Sequence, residues 1–67
     1  GIPMSDWLKG PLKEWAEELL NEARLKAEGI FQPAPIQALW ESHLSGHRNL
    51  GHYLWNILMF QLWLEKQ

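Results

Sequence analysis

The last part of the chain is its most apolar segment. Between Leu54 and Leu64 only Asn56 and Gln61 are polar, and no Pro, Gly or charged residue interrupts the run. Leu, Met and Gln favour a helix, and the run lacks the alternation of apolar and polar positions that indicates a strand. The pattern therefore predicts a long apolar C-terminal helix over Leu50–Glu65.

Apolar residues occupy more than one side of this helix. On a period of 3.6 residues one face collects five aliphatic positions, Leu50, Leu54, Ile57, Leu58 and Leu62. Five more apolar side chains spread over the remainder, namely Trp55, Met59, Phe60, Trp63 and Leu64. A surface helix leaves a wider polar side, so we expect this one to be buried on most of its circumference. Because 67 residues offer too little other chain to surround it, we expect a fragment of a larger domain.

A second amphipathic pattern lies upstream. Pro11 suits the first position of a helix, because an N–H would have no helical partner there. The apolar positions that follow share one helical face, and they are Leu12, Trp15, Ala16, Leu19 and Ala23. Asn21 can cap a second short helix over Glu22–Glu28, which Gly29 ends. One continuous helix over Pro11–Glu28 is the alternative.

The remaining elements are delimited by caps and breakers. Ser5 can cap a short helical turn that Gly10 ends. Pro33 suits the first turn of a helix that Gly46 ends. Its apolar stripe comprises Ile36, Leu39, Trp40, His43 and Leu44. With Asn49 as a cap for the terminal helix, the sequence predicts an all-α fold, a small bundle of three main helices plus one or two short helical turns.

Charge and length limit the partners. Six basic and eight acidic residues give a net charge of −2 without a basic run, so we expect no nucleic-acid partner. A helix-turn-helix is also disfavoured, because its second helix would present Leu, Trp and Phe where DNA requires polar groups. The apolar run is shorter than the roughly 17–25 residues of a membrane span, and no signal sequence is visible. We therefore expect no membrane partner and a cytoplasmic setting.

Three sets of polar residues are candidates for chemistry. A zinc site can be imagined from His43, His47 and His52, but Gly46 is expected to break the helix between the first two. The carboxylates Glu14, Glu17 and Glu18 fall on the solvent face of an amphipathic helix. The hydroxyls of Ser5, Ser42 and Ser45 have no base in a recognisable pattern. The residues thus predict no catalytic, cofactor-binding or metal-binding side chain.

Three segments of the chain resemble the C-terminal end of asparagine synthase (glutamine-hydrolysing). They are GIPMSDWLKGPL, AEGIFQPAPIQALWESHLSGHRN and LWNILMFQLWLE. Their order and spacing extend the resemblance over essentially all 67 residues. One departure is Gln32, where members of the family often have an Asp that caps the helix better.

The resemblance implies a longer parent enzyme. Its glutaminase domain releases ammonia from glutamine, and its synthetase domain uses ATP and Mg²⁺ to adenylate aspartate, from which ammonia displaces AMP. The catalytic Cys and the SGGxDS nucleotide loop of that enzyme are not in this sequence, so no catalytic residue is carried over. By position alone, Gly1, Ile2 and Pro3 are expected near the synthetase site. Residues 1–67 are then expected to be one helical fragment packed against the remainder of the synthetase domain.

A different class of function is left open. The chain could be a free-standing helical module that binds a protein partner through its exposed apolar face. The isolated chain is expected to self-associate through a patch of the terminal helix built from Trp55, Met59, Phe60 and Trp63. The C-terminal helices do not distinguish an enzyme that makes asparagine from one that amidates another carboxylate.

Overall fold

The computed structural model describes residues 4–67, and all regular structure within them is helical. There are five helices in this range, α1 Met4–Lys9, α2 Lys13–Leu19, α3 Glu22–Glu28, α4 Pro33–Leu44 and α5 Gly51–Glu65. Helix α5 packs against α1, α2 and α4, while α3 packs against α4. The predicted all-α class and small bundle are confirmed.

Most predicted helix boundaries agree with the structure. The chain breaks at Asn21, whose Oδ1 accepts a hydrogen bond from the backbone N–H of Arg24 at 2.8 Å. The competing prediction of one continuous helix is therefore wrong. Gly29 ends α3 with φ of 70°, and Gly46 follows α4 with φ of 82°. Glycine adopts this left-handed region at little cost, which explains both stops.

Two predicted boundaries are wrong. Pro11 does not begin a helix, because it lies in a turn in which the Leu12 N–H donates to the Trp7 carbonyl at 2.9 Å. Helix α2 begins two residues later, at Lys13. Ser5 does not cap α1 but lies within it, and its hydroxyl donates to Asn49 Oδ1 at 2.6 Å.

The other two predicted starts differ only in their hydrogen bonds. Pro33 is the first residue of α4, as predicted, although Gln32 before it makes no side-chain capping bond. Asn49 stands one residue before the Leu50 cap of α5. Its Oδ1 still accepts the Gly51 N–H at 3.2 Å, so it satisfies one of the free donors at this helix start.

The hydrophobic core lies between α5 and the other helices. Its buried apolar members are Leu8, Ala16, Leu19, Leu20, Leu25, Ile36, Trp40, Leu50, Leu54, Ile57 and Leu58. Every helix contributes at least one buried residue. The predicted aliphatic face of the terminal helix and the predicted stripe of α4 both point into this core.

The outer side of α5 differs from the expectation of burial on most of its circumference. Tyr53 is 55% exposed, Met59 36% and Trp63 56%. Trp55 and Phe60 are half-buried, because each packs against an aromatic ring from another segment, Trp15 and Phe31 respectively. None of the described helices has the length and apolar character needed to cross a bilayer.

Candidate functional site

His43 is fully buried and uses both ring nitrogens within the fold. Its Nδ1 accepts the backbone N–H of Leu50 at 3.1 Å. Its Nε2 lies 3.1 Å from the carbonyl oxygen of Ser5, which only accepts, so Nε2 is the protonated nitrogen. The imidazole therefore links α4 to α1 and to the start of α5, and neither nitrogen is available as a ligand.

The other two residues of the imagined zinc site are not brought to His43. His47 and His52 are exposed, whereas His43 is buried. Among residues 4–67, no three His, Cys, Asp or Glu side chains are grouped so that they could hold a metal ion. The three histidines thus have separate environments, and only His43 is part of the interior.

The three carboxylates of α2 have two different environments. Glu14 and Glu18 are exposed on the solvent face, as the helical pattern predicts. Glu17 is half-buried, and its Oε2 accepts the indole Nε1–H of Trp40 at 3.1 Å. The same oxygen lies 3.7 Å from the ammonium of Lys13. Glu17 therefore contributes to packing between α2 and α4.

The serine hydroxyls make no pair with a base. Ser45 Oγ donates to the Ser42 carbonyl at 3.1 Å. Ser5 and His43 are neighbours, but the imidazole contacts the Ser5 carbonyl while the Ser5 hydroxyl donates to Asn49. A nucleophile of the serine type needs its hydroxyl hydrogen-bonded to the base. This arrangement is a structural link between α1 and the start of α5.

The close approach of α1 to α5 requires glycine at position 51. A Cβ on Gly51 would collide with Ser5 Oγ and would lie 3.1 Å from Ser5 Cα. Side-chain carbons essentially never approach so closely, so a larger residue would separate the two helices. Sequence reasoning treated Gly51 as an isolated glycine, and its tertiary role is visible only in the fold.

Two polar residues of the interior were missed from the sequence. Gln61 is fully buried, and its Nε2 donates to the Leu19 carbonyl at 2.9 Å, at the end of α2. Arg24 contacts the Gln61 carbonyl at 3.4 Å and pairs with Glu28 at 3.1 Å and, more weakly, with Glu65 at 3.6 Å. The available signal was a lone amide four residues after Ile57, on the buried face of α5.

A continuous group of aromatic side chains reaches the surface at the C-terminal half of α5. The rings of Phe31 and Phe60 are 5.7 Å apart in an edge-to-face arrangement, and those of Phe60 and Trp63 are also 5.7 Å apart. Met59 lies four residues before Trp63 and therefore on the same side of the helix. We call these four residues, Phe31, Met59, Phe60 and Trp63, the aromatic corner.

Comparison with known families gives one match. The asparagine synthase family model matches residues 1–65 of the chain. The chain belongs to the asparagine synthase family. No curated protein and no solved structure matches it. The family resemblance of the sequence segments is thereby confirmed.

Members of the asparagine synthase family imply ATP and Mg²⁺, and the described residues do not fit either group. A cavity of about 440 Å³ between α2, α3 and α4 is lined by Glu17, Leu20, Asn21, Glu22, Gln37, Trp40 and Glu41. Two of its carboxylates are already engaged, Glu17 by Trp40 and Glu22 by Lys26 at 3.0 Å. No phosphate-binding loop rich in glycine occurs in the sequence. We derive no step through ATP or Mg²⁺ on these residues.

The remaining expectation for this asparagine synthase family member concerns its first residues. Gly1, Ile2 and Pro3 were expected near the synthetase site, and they lie outside the described residues. The candidate surfaces on residues 4–67 are therefore the buried polar links and the aromatic corner, of which only the corner is accessible from outside.

Proposed function

We propose that this chain is the C-terminal helical segment of the synthetase domain of a glutamine-dependent asparagine synthase. In this proposal the longer parent enzyme amidates aspartate to asparagine with ammonia released from glutamine, and its ATP and Mg²⁺ are bound by other residues of the parent. The match of the asparagine synthase family model to residues 1–65 carries the proposal. We propose a cytoplasmic setting for the parent on the same basis.

Within the parent, the segment has a structural role. The polar side chains that reach the interior, His43 and Gln61, are hydrogen-bonded to backbone groups of neighbouring helices. The half-buried Glu17 is bonded to an indole. Groups used in this way hold helices together and are not free to take part in proton transfer. This supports a segment that completes and stabilises the synthetase domain without supplying catalytic groups.

The activity of the full-length protein tests the proposal. Purified parent enzyme is incubated with aspartate, ATP and Mg²⁺, and with either glutamine or an ammonium salt as the nitrogen source. We expect asparagine and AMP with both sources, and glutamate only with glutamine. Omission of aspartate is the control for uncoupled glutamine hydrolysis. Amidation of a different carboxylate, with none of aspartate, would overturn the assignment of the substrate.

A free-standing interaction module is the second candidate, and one observation favours it. The chain buries eleven apolar side chains among its own helices, including Leu8, Leu54 and Leu58 at 0% exposure. A domain of this size can fold alone when such a core is sufficient. Sedimentation equilibrium and urea denaturation of the 67-residue chain distinguish the candidates. A compact monomer that unfolds cooperatively supports the module, whereas self-association or loose packing supports a segment of a larger domain.

A further inference from the structure

The aromatic corner has the composition of a protein-binding surface. Trp63 is 56% exposed and Met59 36%, and Ile30, next to Phe31 in the chain, is 52% exposed. Trp, Phe and Met are enriched in protein interfaces relative to the rest of protein surfaces. The corner also joins two separate elements, since Phe31 belongs to the connection between α3 and α4 while the other members lie on α5.

The charge around the corner defines the chemistry of its partner. None of its residues is charged, and no Asp, Glu, Lys or Arg occurs anywhere from position 51 to position 64. A charged surface placed against this corner would lose its hydration without gaining an ion pair. The opposing surface is therefore apolar and uncharged.

The area of the corner limits what kind of partner can occupy it. Since a large aromatic side chain presents about 150–250 Å², Trp63 leaves on the order of 130 Å² exposed. Together with Ile30, the corner exposes on the order of 300–400 Å², well below the roughly 800 Å² that each partner contributes to a stable interface between separate proteins. Two corners placed face to face would bury an area typical of a crystal contact.

An interface within one polypeptide has a lower area requirement. Contacts between parts of one chain bury from about 600 Å² in total, to which a corner of this size contributes half. Covalent linkage also gives the partner surface a high effective concentration, so a small patch can be occupied without a large intrinsic affinity. The area thus favours an occupant on the same polypeptide over a second copy of the chain.

We propose that the aromatic corner docks into an apolar, uncharged concavity on the remainder of the parent polypeptide, with Trp63 as the central side chain. This inference rests on the proposed function in one respect, namely that the chain is part of a longer protein. It adds the surface through which the segment is held. Trp63 and Met59 are then accessible in the isolated segment and buried in the whole enzyme.

Hydroxyl-radical footprinting of the full-length protein tests this docking. Oxidation of Trp63 and Met59 is measured by mass spectrometry in the native protein and in the same protein unfolded in guanidinium. We expect both residues to be oxidised severalfold more slowly in the native protein, to the same extent at low and high protein concentration. Native rates equal to the unfolded rates would overturn the proposal. Protection that appears only at high concentration would also overturn it, because the occupant would then be a second copy.

A pair of matched variants gives an independent test. Trp63→Glu introduces a charge into the corner, and we expect it to raise the oxidation rate of Met59 severalfold in the native protein. Trp7→Glu is the control, since Trp7 is also an exposed indole, at 41%, but lies on α1 outside the corner. An unchanged Met59 rate in Trp63→Glu would contradict docking through this side chain.

An activity assay on the same preparation separates this inference from the proposed function. If Trp63 is protected but the protein forms no asparagine, the docking stands and the proposed enzymatic function is wrong. If asparagine is formed while Trp63 is oxidised at its unfolded rate, the proposed function stands and the docking is wrong.

Discussion

His43 and Leu50 are joined by a buried hydrogen bond in which the backbone N–H of Leu50 donates to Nδ1 of the imidazole at 3.1 Å. Through its other nitrogen the same ring contacts the carbonyl of Ser5, 38 residues away in the chain. One side chain in the last turn of α4 thus satisfies backbone groups of two other segments. Buried groups of this kind are costly to leave without a partner.

Replacing His43 by Leu is expected to destabilise the chain by roughly 2–4 kcal/mol, because the Leu50 N–H and the Ser5 carbonyl each lose their side-chain partner in the interior. Urea denaturation of the variant and of the unmodified chain measures the difference. His47→Leu is the matched control, since His47 is exposed and its replacement should change stability by no more than about 0.5 kcal/mol. Equal stabilities of the two variants would contradict a structural role for His43.

The buried amide of Gln61 gives a second prediction. Gln61→Leu removes the hydrogen bond to the Leu19 carbonyl and should cost about 1–2 kcal/mol. The cost is moderated because Gln61 Oε1 has no hydrogen-bond partner among the described residues, so its removal relieves a buried polar atom. Asn56→Leu is the control on the exposed side of the same helix. An equally large loss in the control would show that any added Leu on α5 is harmful.

The helices of this fold were predictable because their boundaries are set by local chemistry. Asn21, Gly29, Pro33 and Gly46 act through bonds or backbone angles within a few residues of themselves, and each was placed correctly. The apolar faces of α4 and α5 were predictable for a related reason, since helical periodicity fixes which residues share a side.

Ser5, Pro11 and the interior polar groups could not be predicted in this way. The partner of the Ser5 hydroxyl is Asn49, 44 residues later, so a rule for local caps assigns Ser5 a role that it does not have. Pro11 was misplaced because the preceding turn is closed by a hydrogen bond from Leu12 to Trp7. The roles of His43 and Gln61 depend on which helices meet, which the one-dimensional pattern does not contain.

The contact between Gly51 and Ser5 gives a third prediction. Gly51→Ala should cost about 1–3 kcal/mol, because the added Cβ collides with Ser5 and the two helices must separate. Gly10→Ala is the control, since a Cβ there meets only the Asp6 carbonyl oxygen at an ordinary 3.4 Å. Both variants are compared by urea denaturation.

A double-mutant cycle shows whether Ser5 is the cause. Ser5→Gly removes the colliding atoms, so the Gly51→Ala substitution should cost less in that background, with a coupling on the order of 0.5–3 kcal/mol. Additive effects of the two substitutions would show that the helices do not meet at this point.

The account depends most on the claim that this segment of the asparagine synthase family stabilises its domain without contributing to substrate binding. Leu58 is 0% exposed on the core face of α5, so Leu58→Ala should cost about 2–5 kcal/mol. His52→Ala, at an exposed position of the same helix, is the control and should leave the melting temperature nearly unchanged.

The most direct test measures the melting temperature and the KM values for ATP and aspartate on full-length Leu58→Ala. A lowered melting temperature with unchanged KM values is the predicted result. An unchanged melting temperature with a raised KM for either substrate would contradict the structural role and place this helix in the substrate-binding machinery.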